Sequence, residues 1–296
     1  MTDNTYISEK ISFGEKIKAY AFFFKMRLAT LVVISAVFGY LLATPAFSWF
    51  NFLMLTIGGF LVTGASNGFN QILERDLDKL MTRTQDRPVV KGRISVREGI
   101  ILATISGSIG VFMLWYFLNP LSGILGLLAL FLYVAVYTPL KRITPFAVFV
   151  GAFPGAIPPM LGWVAETGTF GLEPGILFAM QFIWQFPHFW AIAWVLDEDY
   201  KKAGFRLLPS PNGKDKSSAF QIIVYSLFLI PAGMLPWFFN MVGGYSAIIA
   251  FLCGIIFLIP AIKLFNHLKD KDAKTLMFAS FLYLPIVQLS YVLDKL

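Results

Sequence analysis

The sequence predicts an all-α polytopic membrane protein with nine transmembrane helices. Three observations predict it. The 296 residues are 57% apolar and 14% charged, against about 25% charged in an average soluble domain. Several apolar stretches reach the ~20 residues that a helix needs to cross ~30 Å of hydrocarbon, where backbone polar groups must be satisfied within the chain. Finally, 23 of the 24 Lys and Arg fall on one side of a nine-span topology, leaving only Lys295 on the other.

The spans are read at 28–46, 51–73, 98–118, 121–138, 146–164, 175–196, 219–239, 244–262 and 275–293. Prolines at their ends and interiors (Pro45, Pro120, Pro174, Pro231, Pro236, Pro260, Pro285) predict a bundle, because neighbouring helices must take up the carbonyls that proline frees. The opening MTDNTYISEKISFGEKIKAY carries acids and no long apolar core. It is therefore neither a signal nor a transit peptide, and residues 1–27 read as an interfacial segment before one domain, 28–296. The positive-inside rule places the amino terminus in the cytoplasm and the carboxyl terminus outside, in a bacterial plasma membrane. A net charge of +7 confined to one face reflects topology and anionic lipid and excludes nucleic acid as the partner. The lone Cys253 lies in an apolar span and excludes an internal disulfide.

Fourteen of the 17 acids share the basic face and gather at two places, Glu74-Arg75-Asp76-Leu77-Asp78 after span 2 and Asp197-Glu198-Asp199 after span 6. Four helices separate the clusters, so spans 1–4 and 5–8 read as a weak parallel repeat, with span 9 added. On a continuing helix Asn70, Glu74 and Asp78 are each offset by ~40° and line one face over ~12 Å. Their oxygens suit a hard divalent cation such as Mg²⁺, which is commonly held by a few carboxylates together with substrate phosphate. Asp76 points the other way, towards Arg75, Lys79 or Arg83. A solvated helix end of i,i+4 pairs would account for the acids alone. Asn67, Asn70 and Gln71, extending back into the span, point instead to a cavity. Arg83, Arg87, Lys91 and Arg93 then supply donors for a diphosphate.

In the second cluster Asp197 and Asp199 diverge by ~200° on an ideal helix, so a shared ligand requires an irregular turn there. One to three turns earlier, WQFPHFW carries Trp184, Gln185 and His188; the histidine reads either as a structural core residue or as a functional one. Tyr137, Lys141 and Arg142, in YTPLKR after span 4, complete the polar features of this face.

The order N-x₃-E-x₃-D, M-x-R-T-x-x-R-P (Met81 to Pro88) and Y-x₃-K resembles the UbiA-type intramembrane prenyltransferases over most of the chain. With YTPLKRITPFAVFVGAFPGAIPPMLGW, WQFPHFWAIAW and EDYKKAGFRLLP, the sequence is similar to the branch of that family that farnesylates haem. The resemblance implies a nine-helix bundle around a central cavity open to lipid and capped on the cytoplasmic side. It implies farnesyl diphosphate and haem b as substrates and Mg²⁺ as cofactor. Asn70, Glu74 and Asp78 would be one metal site, and Asp197 and Asp199, two apart where the family has D-x₃-D, the second. Arg83, Arg87, Lys91, Tyr137, Lys141 and Arg142 would hold diphosphate, and His188 would ligate haem iron or position water. The product would pass to a haem A synthase or a terminal oxidase. A family member acting on a quinone precursor or a chlorin, and a transporter, are the rival readings.

Overall fold

The computed structural model describes residues 12–296, which are helical throughout apart from connecting loops. Among the described residues nine helices are long and apolar enough to cross a membrane: Met26–Ala43, Trp49–Leu73, Val96–Leu118, Pro120–Leu140, Ala147–Thr167, Leu172–Val195, Lys216–Phe238, Gly244–His267 and Asp270–Leu293. These are spans 1 to 9 below. Spans 8 and 9 continue through Lys263, His267, Asp270, Lys271, Asp272 and Lys274, beyond the limits expected from hydropathy. The extra turns are amphipathic ends that charge excludes from the apolar core but not from the helix. The two spans are divided at Leu268, which is left-handed at φ 54°.

Spans 5 and 6 form the middle of the bundle, with 67% of the most apolar stretch of each buried, against 28% in span 3. One apolar core lies among spans 5 to 9 and contains Trp190, Trp194, Phe257 and Tyr291. A second joins spans 1, 2, 4 and 5 through Tyr40, Leu55, Leu125 and Ile157. Spans 1 and 5 cross at Gly39 and Gly162. A Cβ on Gly39 would meet the carbonyl of Pro159, and one on Gly162 the carbonyl of Ala36, so only hydrogen fits at either position.

Span 5 holds Pro154, Pro158 and Pro159 within its helix. Pro159 cannot donate to the carbonyl of Gly155, and Gln181 Nε2 of span 6 occupies that carbonyl at 2.7 Å. The Gln181 Oε1 accepts from Ser35 of span 1 and Gln288 of span 9, both at 2.8 Å. A proline defect thus becomes a polar junction of four helices in the apolar interior.

A helix at Phe13–Phe23 precedes span 1 and is capped by Ser12 and Glu15. It packs through Phe23 on Val89 and Ile94 of the loop between spans 2 and 3 and on Ala103 of span 3. Two short helices, Arg75–Asp78 and Asp197–Lys202, follow spans 2 and 6 at the same end of the bundle.

Candidate active site

Span 2 breaks at Glu74 (φ −97°, ψ 5°) before the short helix resumes. The break leaves the register intact, because Glu74 N–H donates to Asn70 O at 3.0 Å and Asp78 N–H to Glu74 O at 2.8 Å. Asn70, Glu74 and Asp78 therefore remain on one side, 2%, 2% and 0% exposed. Asp76 points outward and pairs with Lys79 at 2.7 Å and Arg75 at 3.3 Å.

The Asn70 amide has a fixed direction. Thr138 Oγ1 gives its only proton to Tyr133 O at 2.8 Å, in the π-helical turn Leu132–Tyr137 that ends span 4. It can only accept from Asn70 Nδ2, at 3.3 Å. Asn70 Oδ1 is consequently the atom turned to the cavity, where Lys25 Nζ lies 3.4 Å away. Asn67 and Gln71 do not share this role. Their amides donate to the carbonyls of Phe22, Phe23 and Phe24 and so satisfy the end of the preceding helix. That hold seats Lys25, left-handed at φ 46°, at the cavity wall.

The cavity encloses about 130 Å³ and is lined by Asn70 and Glu74, the cations Lys25, Arg83, Arg87 and Lys141, and the rings of Tyr133, Tyr137, Tyr200 and Phe205. Arg87 Nη1 stands 2.5 Å from Asp78 Oδ2 and 3.9 Å from Glu74 Oε2, and Lys141 Nζ 2.5 Å from Glu74 Oε1. Four cations face two carboxylates in a largely buried space, an excess that an anionic ligand would balance. Burial brings the Lys25 ammonium down to about 7, aided by the charges of Arg87 and Lys141. Burial also lowers Lys141, against the opposing pull of Glu74, and raises the Asp78 carboxyl, against the pull of Arg87.

Several expected site residues lie elsewhere. Asp197 and Asp199 do not line this cavity, because Asp197–Lys202 is a regular helix and the irregular turn required to bring them together is absent. Asp197 pairs with Lys201 at 2.8 Å. Asp199 accepts from the backbone N–H groups of Thr82 at 2.8 Å and Arg83 at 3.1 Å, and from Lys202 at 3.0 Å. Burial would raise the Asp199 carboxyl, but those N–H groups and Lys202 outweigh it and hold it at about 2. Asp199 thus anchors the loop that presents Arg83. Lys91 is half exposed and paired with Asp86 at 3.2 Å, and Arg142 donates to Leu73 O at 2.7 Å. His188 joins spans 6 and 9: its Nδ1 is 2.7 Å from Ser280 Oγ, and its ring stacks on Trp184.

Lys25, Tyr133 and Tyr200 were not expected in the site. The signal for Lys25 is a single cation set directly between apolar residues in FFFKM, where topology alone would tolerate it further out. Nothing distinguishes the two tyrosines from ordinary interfacial anchors.

Among the described residues no three His, Cys, Asp or Glu side chains converge as a metal site. The donors on the first cluster still fit Mg²⁺ shared with a substrate. Asp78 Oδ1 is buried without a hydrogen-bond partner, Asn70 Oδ1 faces the cavity, and Glu74 supplies a second carboxylate. Mg²⁺ takes few protein ligands when phosphate oxygens complete its shell.

An intramembrane helical bundle with a buried, cation-rich cavity beside carboxylates is the architecture of a membrane enzyme acting on a phosphorylated substrate. The chain matches the UbiA prenyltransferase family over residues 32–284 and belongs to it. It is 50% identical over 287 residues to a protoheme IX farnesyltransferase of Cytophaga hutchinsonii, covering 96% of this chain and 99% of that one. With the protoheme IX farnesyltransferase of Flavobacterium psychrophilum it shares 51% over 283 residues, 92% of each chain. Its fold is that of a UbiA homolog from Aeropyrum pernix (TM-score 0.72, 19% identity, 90% of this chain and 98% of that one). A UbiA homolog from Archaeoglobus fulgidus bound to GPP and Mg²⁺ also shares it (TM-score 0.68, 15% identity, 93% and 99%).

Proposed function

We propose that the protein transfers the farnesyl group of farnesyl diphosphate to a vinyl group of haem b, with addition of water, giving haem O and diphosphate. The observation that carries this reading is the buried cavity that sets Lys25, Arg83, Arg87 and Lys141 beside Asn70, Glu74 and Asp78. The identities of the donor and acceptor rest on the relatives at about half identity across nearly the whole chain. The excess of Lys and Arg at the site end supports a site on the cytoplasmic side of a bacterial plasma membrane. The product would leave for a haem A synthase or a terminal oxidase.

The four cations bind the diphosphate and stabilise the negative charge that grows on it as the bond between farnesyl C1 and oxygen breaks. Asn70, Glu74 and Asp78 would hold Mg²⁺ shared with the phosphate oxygens, and when bound it supplies Lewis-acid neutralisation of the leaving group. The rings of Tyr133, Tyr137, Tyr200 and Phe205 keep bulk water from the allylic cation. Three of them already carry positive charge against a face, with Lys141 at 5.0 Å over Tyr137 and 5.4 Å over Phe205, and Arg83 at 5.9 Å over Tyr200. The terminal carbon of the vinyl group bonds to farnesyl C1, the positive charge moves to the carbon next to the porphyrin, and water adds there and loses a proton.

Purified protein with reduced haem b, farnesyl diphosphate and Mg²⁺ will yield a haem heavier by one farnesyl and one hydroxyl group, resolved by mass. Release of diphosphate with haem unmodified would refute the acceptor and direct attention to quinone precursors.

A further inference from the structure

A second cavity, about 340 Å³, lies where the loop between spans 4 and 5 meets the loop between spans 6 and 7. Its polar lining is basic: Lys141, Arg142 and Arg206 contribute to it and no acid does. Lys141 lines both cavities, so the two sites meet at that side chain. Arg206 is exposed and makes no hydrogen bond or ion pair with any described residue. Arg142 commits only one nitrogen, to Leu73 O. Pro145, Pro209 and Pro211 form the walls, and their fixed φ makes the site largely preformed.

Two arginines without a counter-acid, Arg142 and Arg206, in a concave site that Lys141 borders, suit a ligand with more than one anionic oxygen. The diphosphate already has its own cavity, where Lys25, Arg83, Arg87 and the shared Lys141 face it. Haem carries two propionates on the edge opposite its two vinyl groups. We infer that the cavity between these loops binds the acceptor's carboxylates, at Arg206 and Arg142. This rests on the haem reading above. Anchored there, the porphyrin turns its vinyl edge away from Arg206, past Lys141 and towards the diphosphate. The anchor distinguishes the acceptor from the many apolar molecules of the bilayer, which lack such an edge.

The test compares haem b with its dimethyl ester in wild-type protein and Arg206→Gln, in bilayer discs of neutral phosphatidylcholine and in discs containing anionic lipid. In the wild type, esterification raises the KM for the acceptor roughly tenfold, as expected when charge-assisted hydrogen bonds are lost, and leaves the KM for farnesyl diphosphate unchanged. Arg206→Gln raises the KM for haem b to a similar degree, and esterification then adds little. Arg142→Gln behaves alike. An unchanged KM for haem b in Arg206→Gln, or an ester penalty that persists in full in both variants, overturns the inference. An effect confined to discs with anionic lipid assigns these cations to lipid headgroups and overturns it equally. Failure of the wild type to prenylate either haem while diphosphate is released refutes the haem reading itself, and this inference with it.

Discussion

Thr138 controls the site without facing it. Its hydroxyl proton is committed to Tyr133 O, and this alone fixes Asn70 with its oxygen in the cavity. Thr138→Val keeps the shape and removes both hydrogen bonds. The expected cost is about 1–3 kcal/mol of stability, since two buried polar partners are lost, together with a higher KM for the prenyl diphosphate. Equal kinetics in the variant would show that the Asn70 orientation does not matter. Asp199 acts in a similar way on Arg83. Its folded carboxyl, at about 2, lies below the ordinary value near 3.9. The stability it contributes is thus complete above about pH 4 and is lost as pH falls towards 2. The protection of the Thr82 and Arg83 amides, relative to their intrinsic exchange, will fall over that window, and Asp199→Asn will weaken it above the window. The spacing of Asn70, Glu74 and Asp78 was legible in the sequence because four-residue steps survive the break at Glu74. Lys25 was not legible, since its place depends on a left-handed turn that Asn67 and Gln71 hold from another helix. Nor was the anchoring by Asp199, which depends on backbone groups more than a hundred residues away.

Among the elements, hydropathy located all nine spans but misplaced two ends, that of span 8 and the start of span 9, by more than a turn, because charge marks the edge of the hydrocarbon and not the end of a helix. Prolines in other spans predicted that neighbouring helices must satisfy freed carbonyls, and in span 5, whose prolines that reading did not single out, Gln181 does so at Gly155. Sequence alone could not show which neighbour. The crossing of spans 1 and 5 is similarly invisible in either segment, although it leaves no room for a methyl group at Gly39 or Gly162. Gly39→Ala must push two backbones apart, at an expected cost of about 1–3 kcal/mol or more. A lowered thermal midpoint in detergent checks this, and an unchanged midpoint would mean that the two spans are not in contact at that point.

For the whole molecule, the division of charge is the feature from which the rest follows. It fixed nine spans from sequence, and the structure gathers the same cations, from the turn before span 1 and the loops after spans 2 and 4, around one cavity. The central claim is that this cavity holds a prenyl diphosphate through Asn70, Glu74 and Asp78 by way of Mg²⁺, with the four cations binding it directly. The most direct measurement is a binding titration of a non-hydrolysable farnesyl diphosphate analogue, with and without Mg²⁺, on wild-type protein and Asp78→Asn. The account predicts that Mg²⁺ tightens binding to the wild type by an order of magnitude or more, as expected for a carboxylate-held ion on a diphosphate. It also predicts that Asp78→Asn loses this dependence but retains weak, salt-sensitive binding through the cations. Full Mg²⁺ dependence in Asp78→Asn would contradict it.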